Sequence, residues 1–168
     1  MTRSAAHQRI TAALLAALLV GAGPALAQNA GQIASARRGA SCPGCNLFQA
    51  DLTGLSAPGR NYARARLRQS DLSLTIMTRA NFSGADLRDV NAYGGVFSSA
   101  NFSGANLTNA SFVGAHLDGA SFAGATLDGL NLSGASLMGV RGLTQRQLSR
   151  ACGDVDTRLA PGLSIPAC

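Results

Sequence analysis

The side chains in this sequence that are best suited to chemistry belong to its four cysteines. Cys42 and Cys45 form a C-x-x-C motif, while Cys152 and Cys168 lie near the end of the sequence. A C-x-x-C pair lowers the pKa of a thiol and is the arrangement used in thiol–disulfide exchange. The motif does not open a helix in a strand–helix–strand context, and no acid–base group lies next to it. We therefore favour a structural disulfide, with thiol exchange and metal capture as the alternatives.

Other catalytic groups are sparse. His116 has no second histidine near it in the sequence, so we interpret it as an exposed turn residue rather than a metal ligand or a base. The sequence offers no Ser-His-Asp set, and its glycines recur with a repeat instead of forming a phosphate-binding loop. The C-x-x-C motif lacks the following histidine of a haem attachment site. We predict that the protein is not an enzyme and binds no metal or cofactor.

A five-residue repeat positions these residues and runs without a break in register from Cys45 to Gly139. The sequence Ala-Asn-Phe-Ser-Gly stands at residues 80–84 and again at residues 100–104. The first position is mostly Ala and the second mostly Asn, Asp, Ser or Thr. The third is large and apolar in all nineteen copies except those centred on Ala57 and Ala92.

No helix can bury such a repeat, because an advance of about 100° per residue spreads the large side chains around the helix. The small and the large apolar residue are two positions apart, which places both on one side of an extended segment. Successive pentads must then turn corners about a common axis and stack as coils. Glycine at the fifth position, as in Gly84, suits those corners.

The repeat resembles the A-(D/N)-L-x-x motif of the pentapeptide-repeat family, and the tail resembles that of some secreted members. The resemblance covers residues 45–139 and implies an all-β fold, a right-handed four-sided β-helix with four pentads per coil. The residues alone leave two arrangements open. Three pentads per coil would stack Phe82, Phe97 and Phe112, whereas four would stack Phe82, Phe102 and Phe122. With four, the rod has close to five coils and is about 24 Å long.

On such a rod the four cysteines are divided between the two ends. Cys42 and Cys45 lie at one end, and Cys152 and Cys168 lie at the other. Four cysteines allow three pairings, but bridged Cα atoms must come within about 7 Å of each other. We therefore predict two local disulfides, Cys42–Cys45 and Cys152–Cys168. The same separation argues against a zinc site made of all four cysteines.

Residues 1–27 are predicted to be a secretory signal peptide. Arg3 and Arg9 precede an apolar run over residues 10–20, and Ala25-Leu26-Ala27 forms a cleavage site. The apolar run is too short to span a bilayer. We predict cleavage after Ala27, a periplasmic or secreted protein, and no integral membrane anchor. Residues 28–44 have no apolar period and are predicted to form a mobile leader and N-terminal cap.

Residues 140–168 follow the repeat and are predicted to close its other end with a short helix and a disulfide-pinned tail. Thr144 suits the N-cap of this helix, and Gln147 is its capping-box partner. We expect the helix to continue to about Cys152. Some members of the family that the repeat resembles dimerise through their last coil. Because the helix and the tail cover that end, we predict a monomer.

The charges in this sequence come only from Arg and Asp. The net charge is +6, and without the signal peptide 12 Arg against 8 Asp leave about +4. A cluster of basic residues lies where the repeat weakens, and it consists of Arg60, Arg64, Arg66 and Arg68. We expect Arg60 to turn outward. We interpret this cluster as a solvated surface, since four-pentad stacking places Arg66 beside Asp86. An anion-binding patch is the alternative.

These features indicate an exported, non-catalytic binding or structural module of the cell envelope, whose partner is an unidentified envelope protein or polymer. One alternative is a thiol–disulfide exchange protein that uses Cys42 and Cys45. Another follows from the resemblance, because some cytoplasmic members of that family resemble DNA and bind DNA gyrase. Such mimicry needs a strongly negative rod, whereas this sequence is mildly basic. We expect no nucleic-acid partner.

Overall fold

The computed structural model describes residues 29–168. The predicted signal peptide lies outside the described residues. Helix α1 spans Ala30–Arg37, helix α2 spans Gln145–Leu148, and the residues between them form a solenoid. The extended segments among the described residues are isolated parallel bridges. Each wall of a coil is therefore one pentad wide.

Parallel backbone pairing fixes the number of pentads per coil. The second residue of a pentad pairs with the residue twenty positions on, as Asn46 does with Arg66. Leu47 N donates to Arg66 O at 2.8 Å, and Arg66 N donates back to Cys45 O at 2.8 Å. Twenty residues are four pentads, so each coil has four walls. This register excludes the arrangement with three pentads per coil.

The core of the solenoid is built from the third residue of every pentad, and all of these side chains are buried from Leu47 to Leu137. Ala57 and Ala92, the two small central residues, are buried as well. Four aromatic rings form a column with centroid separations of 5.5, 5.2 and 5.3 Å, and they are Tyr62, Phe82, Phe102 and Phe122. The core is thus continuous along the axis.

The fifth residue of each pentad turns the chain into the next wall. Its φ lies between 54° and 70° in all nineteen pentads, which is the left-handed region. Glycine occupies eleven of these positions, while the other eight include Arg64 and Leu74. The next N–H then closes the turn, as Ala85 N does by donating to Phe82 O at 3.0 Å. A positive φ at this place is typical of a type II turn.

The N-terminal end of the solenoid is covered by helix α1, which lies within the segment predicted to be a mobile leader and N-terminal cap. Asn29 is the N-cap of the helix, and its side chain accepts a hydrogen bond from Gln32 N at 3.0 Å. Gln32 Oε1 in turn accepts from Asn46 N at 2.7 Å, which satisfies a donor at the open end of the first coil. Ile33 and Ala36 are the buried residues of this helix.

Residues 40–44 also follow the pentad geometry, so the solenoid starts one pentad before the predicted boundary at Cys45. Cys42 takes the central, buried position. Its N–H donates to Asn61 O at 2.7 Å, and Gly44 N donates to Ala63 O at 2.8 Å. The sequence pattern misses this pentad because a cysteine stands where the others have a large apolar residue.

Helix α2 has the predicted capping box, in which the Thr144 side chain accepts from Gln147 N and the Gln147 side chain accepts from Thr144 N. The expected continuation to Cys152 is wrong, since the helix ends at Leu148. The chain instead returns to the last coil, where Cys152 N donates to Leu130 O at 2.9 Å. Pairing with the exposed edge of the solenoid thus ends the helix.

Candidate functional site

The cysteines lie in the two predicted local pairs, one at each end of the described chain. The Cα atoms of Cys42 and Cys45 are 5.4 Å apart, and those of Cys152 and Cys168 are 4.8 Å apart. Both pairs have disulfide geometry. The Cys42 side chain is buried in the core, which withholds its sulfur from an incoming thiol. Residues 29–168 hold no group of three His, Cys, Asp or Glu side chains placed for a metal ion.

His116 stands on an outer wall as an exposed residue, as predicted. Its backbone pairs with Val96 and with Ser136, so the residue is an ordinary member of the ladder. Its neighbours along this wall are the aliphatic Val96 and, one coil earlier, Ile76. No hydrogen bond of the imidazole to another described side chain gives it a catalytic partner.

The predicted cluster of four arginines divides into paired and unpaired residues. Arg68 Nε lies 3.2 Å from Asp89 Oδ2. Arg60, Arg64 and Arg66 are exposed and make no ion pair within residues 29–168. Arg60 is turned outward as expected, although it occupies the small inward position of its pentad.

The expectation that Asp86 neutralises Arg66 is wrong for the side chains, although the backbones of the two residues pair as predicted. Asp86 is held by Arg88, with Nε 2.7 Å from Oδ1 and Nη2 2.7 Å from Oδ2. The two residues project from the second and fourth positions of one pentad. Hydrogen bonding from Arg88 lowers the pKa of the Asp86 carboxyl. The carboxylate is thus occupied, and Arg66 remains without it.

One wall of the solenoid, here called the asparagine wall, covers the aromatic column. Its outward second residues are, in coil order, Ser41, Asn61, Asn81, Asn101 and Ser121. Asn81 Nδ2 donates to Asn61 Oδ1 at 3.3 Å, and Asn101 Nδ2 donates to Asn81 Oδ1 at 3.3 Å. The Asn81 side chain also accepts from Ser83 N at 3.0 Å. These bonds hold the amides in line along the axis.

Arginines border the asparagine wall at its N-terminal half. Arg60 and Arg79 stand at the corner where the chain enters the wall, and Arg64 stands at the corner where it leaves. Arg66 follows as the outward second residue of the neighbouring wall. No aspartate occurs at the outward positions of this wall between residues 41 and 124. Arg79 was not among the predicted site residues. A signal for it was present in the sequence, because Arg79 follows Arg60 by nineteen residues, almost one full coil, which places both at the same corner.

A second surface feature is an apolar corner on a different part of the solenoid. Leu74, Ile76 and Tyr93 are 58%, 46% and 56% exposed. Leu74 N donates to Tyr93 O at 2.9 Å, so these two residues are neighbours in adjacent coils. Leu74 has a φ of 57°, which is an uncommon conformation for a large side chain.

The fold and the surface together define a repeat protein with rigid walls and small polar side chains. Residues 63–91 and 100–139 match the family of pentapeptide repeats, with eight copies. The chain belongs to the pentapeptide-repeat family. No curated protein matches it. No helix among residues 29–168 has both the length and the apolar character needed to cross a membrane.

Solved structures of other pentapeptide-repeat proteins are similar to this chain. HetL from the cyanobacterium Nostoc sp. strain PCC 7120, a protein involved in heterocyst differentiation regulation, has 28% sequence identity and a TM-score of 0.56. The match covers 71% of this chain and 57% of HetL, so the chain spans little more than half of that relative. A protein from the Arabidopsis thaliana thylakoid lumen has 30% identity, covers 59% and 69% of the two chains, and has a TM-score of 0.31.

Proposed function

We propose that this protein is exported, loses residues 1–27, and acts in the cell envelope as a rigid, non-catalytic binding module with the right-handed winding that the family implies. The observation that carries the proposal is the regularity of the walls. Each coil is bonded to the next through every pentad, and the central side chains are buried throughout. Outward side chains are thereby held at a fixed spacing of about 4.8 Å along the axis. Such repeated, preorganised surfaces suit binding.

The cysteines support binding rather than thiol–disulfide exchange. An exchange protein needs an accessible thiolate with a lowered pKa. Cys42 is buried beneath the first coil, and Cys45 is partly buried against the core. A disulfide here pins the N-terminal pentad onto the solenoid. The pair at Cys152 and Cys168 does the same for the tail, where Cys168 N donates to Gly153 O at 2.9 Å.

Export is tested on the full chain carrying a C-terminal tag, expressed in a bacterium that secretes through signal peptides. We expect the tagged protein in the periplasm or the medium, with a mass that corresponds to a start at Gln28. The variant Ala27→Asp should accumulate with its signal peptide attached, because the cleavage site requires a small residue. Finding the wild-type protein uncleaved in the cytoplasm would overturn the export proposal.

The binding role is tested by crosslinking in intact cells. A photoreactive residue at Ser83 reports on the asparagine wall, and the same residue at Ser133 reports on a different wall. We expect an adduct with an envelope component that resists reducing agents and forms equally in wild type and Cys45→Ser. Adducts that form only in Cys45→Ser and are cleaved by a reducing agent would instead identify a mixed disulfide and support thiol exchange.

A further inference from the structure

We propose that the arginine-bordered half of the asparagine wall binds an acidic polysaccharide, a glycan whose carboxylate or sulfate groups reach the arginines while its hydroxyls reach the amides. This inference deepens the proposed function by naming the chemical class of the envelope partner, and it rests on that function. Three features of the wall support it: its charge, the side chains between the arginines, and the lack of outward aromatic side chains.

Charge complementarity is the first argument. Four guanidinium groups stand around two adjacent coils without a carboxylate partner among the described residues, and they are Arg60, Arg64, Arg66 and Arg79. The two coils rise by about 5 Å each, so the charges lie within a short length of the rod. By contrast, the other two arginines of the wall that carries Arg66 are paired, Arg68 with Asp89 and Arg88 with Asp86. Guanidinium groups bind carboxylate and sulfate-like oxygens through paired hydrogen bonds.

The side chains between the arginines favour a sugar. Asn61, Asn81 and Asn101 present amides in a line, and Ser83 and Ser103 present hydroxyls beside them. Amides and hydroxyls both donate and accept hydrogen bonds, as the hydroxyl groups of a glycan do. The outward residues of this wall are short, so an extended polymer can lie against it along the axis. Its groups would then meet an amide in successive coils.

The same wall disfavours nucleic acid. The aromatic side chains at this wall, including Tyr62 and Phe82, point into the core and are fully buried. The outward positions of this wall between residues 41 and 124 carry no aromatic side chain on which a base could stack. A net charge of about +4 without the signal peptide is also small for binding a phosphate backbone at physiological salt. An acidic glycan therefore fits the wall better than a nucleic acid.

Binding is measured with the full chain as purified, by isothermal titration at low and at moderate salt. The probes are polygalacturonate for carboxylates, heparin for sulfates, neutral dextran as the uncharged control, and duplex DNA. We expect binding to at least one acidic glycan, no binding to dextran, and weakening by salt. Failure to bind either acidic glycan at low salt would overturn the inference, as would tighter binding of duplex DNA.

Two matched triple variants locate the site. Arg60→Gln/Arg64→Gln/Arg66→Gln removes unpaired arginines that border the wall. Arg68→Gln/Arg88→Gln/Arg150→Gln removes paired arginines, including Arg150, which pairs with Asp128, and changes the net charge equally. We expect the first variant to weaken glycan binding by about tenfold or more and the second by less than about twofold. Equal losses would show that binding follows net charge and would overturn the site.

A single substitution provides a second test that keeps the fold. Asn81→Asp retains the oxygen that accepts from Ser83 N, but it replaces the Nδ2 that donates to Asn61 Oδ1 and places a carboxylate in the middle of the wall. Asn131→Asp makes the same change on another wall, where the side chain accepts from Ser133 N at 2.9 Å. We expect only Asn81→Asp to weaken glycan binding. Because these measurements use purified protein, their failure leaves the export and crosslinking tests of the proposed function unaffected.

Discussion

Phe102 lies face to face with Phe82 across adjacent coils, with ring centroids 5.2 Å apart and ring planes 4° apart. Both rings are fully buried. Phe102 also stacks on Phe122 at 5.3 Å and meets Phe112 edge to face at 5.8 Å. Phe112 belongs to the opposite wall, two pentads further on, so Phe102 connects the aromatic column to the other side of the core. Its removal tests how far the core is shared between coils.

Phe102→Ala should lower the free energy of unfolding by about 3–5 kcal/mol, because it removes a buried ring and leaves a cavity between two others. Phe48→Ala is the control, since Phe48 stands at an outward fourth position and is only partly buried. Its cost should be about 1 kcal/mol or less. Denaturant unfolding followed by circular dichroism compares the two. Similar costs for both variants would contradict a continuous aromatic core.

The left-handed corners predict opposite effects for two substitutions at fifth positions. Gly104 has a φ of 67° and open space where an added methyl group would lie, so Gly104→Ala should cost about 1–2 kcal/mol through backbone conformation alone. Leu74→Asn should instead stabilise by up to about 1 kcal/mol, because asparagine tolerates this region better than leucine. Thermal unfolding measures both, and a destabilised Leu74→Asn would mean that the exposed leucine makes a contact that outweighs its backbone cost.

The pentad frame is the part of this protein that can be predicted from its sequence, because a period of five with one large residue admits a single inward direction. The sequence alone does not determine the number of walls per coil. Phe82 could stack on Phe97 in a coil of three pentads or on Phe102 in a coil of four. Helix α1 was missed because only Ile33 and Ala36 are buried in it, too few for a helical period. Asn29, a favoured N-cap residue, was the available signal.

The candidate site was predicted only in part, for a related reason. The register places the backbones of Arg66 and Asp86 side by side, and that much follows from the repeat. The repeat does not determine which arginine side chain binds the Asp86 carboxylate. Arg88, two residues away in the same pentad, binds it in place of Arg66. Pairing with Asp89 likewise separates Arg68 from the other members of its predicted cluster.

Gln147 links helix α2 to the last coil through both ends of its amide. Its Oε1 accepts from Thr144 N at 2.9 Å, while its Nε2 donates to Phe122 O and to Ala125 O at 2.9 Å each. Gln147→Glu keeps the capping box but sets a carboxylate against two carbonyl oxygens. We expect it to destabilise the C-terminal end by about 2–3 kcal/mol, more than the loss of about 1 kcal/mol from Thr144→Ala.

Hydrogen exchange at two amides reports on this end, Leu148 N within the helix and Gly129 N, which donates to Arg150 O at 2.8 Å. Both should exchange faster in Gln147→Glu than in wild type. Gln145→Glu is the matched control, because Gln145 is exposed and donates to a single carbonyl, that of Ser164. If the two glutamate variants exchange at the same rate, the bridge to the last coil does not stabilise this end.

The Asp86–Arg88 pair predicts how stability depends on pH. Because the folded state holds the pKa of Asp86 below its ordinary range, the unfolded chain binds a proton there at a higher pH than the folded chain does. The stability that Asp86 contributes is therefore complete above about pH 5 and decreases as the pH falls through its folded pKa, below about pH 4.

Asp86→Asn cannot titrate, and Arg88→Gln removes the main cause of the lowered pKa. Each should reduce the loss of stability between about pH 5 and pH 3, measured by urea unfolding. The double variant should show no further reduction, since both changes act on one interaction. Additive effects would mean that Arg88 also acts on the pH dependence through a carboxylate other than Asp86, such as Asp89.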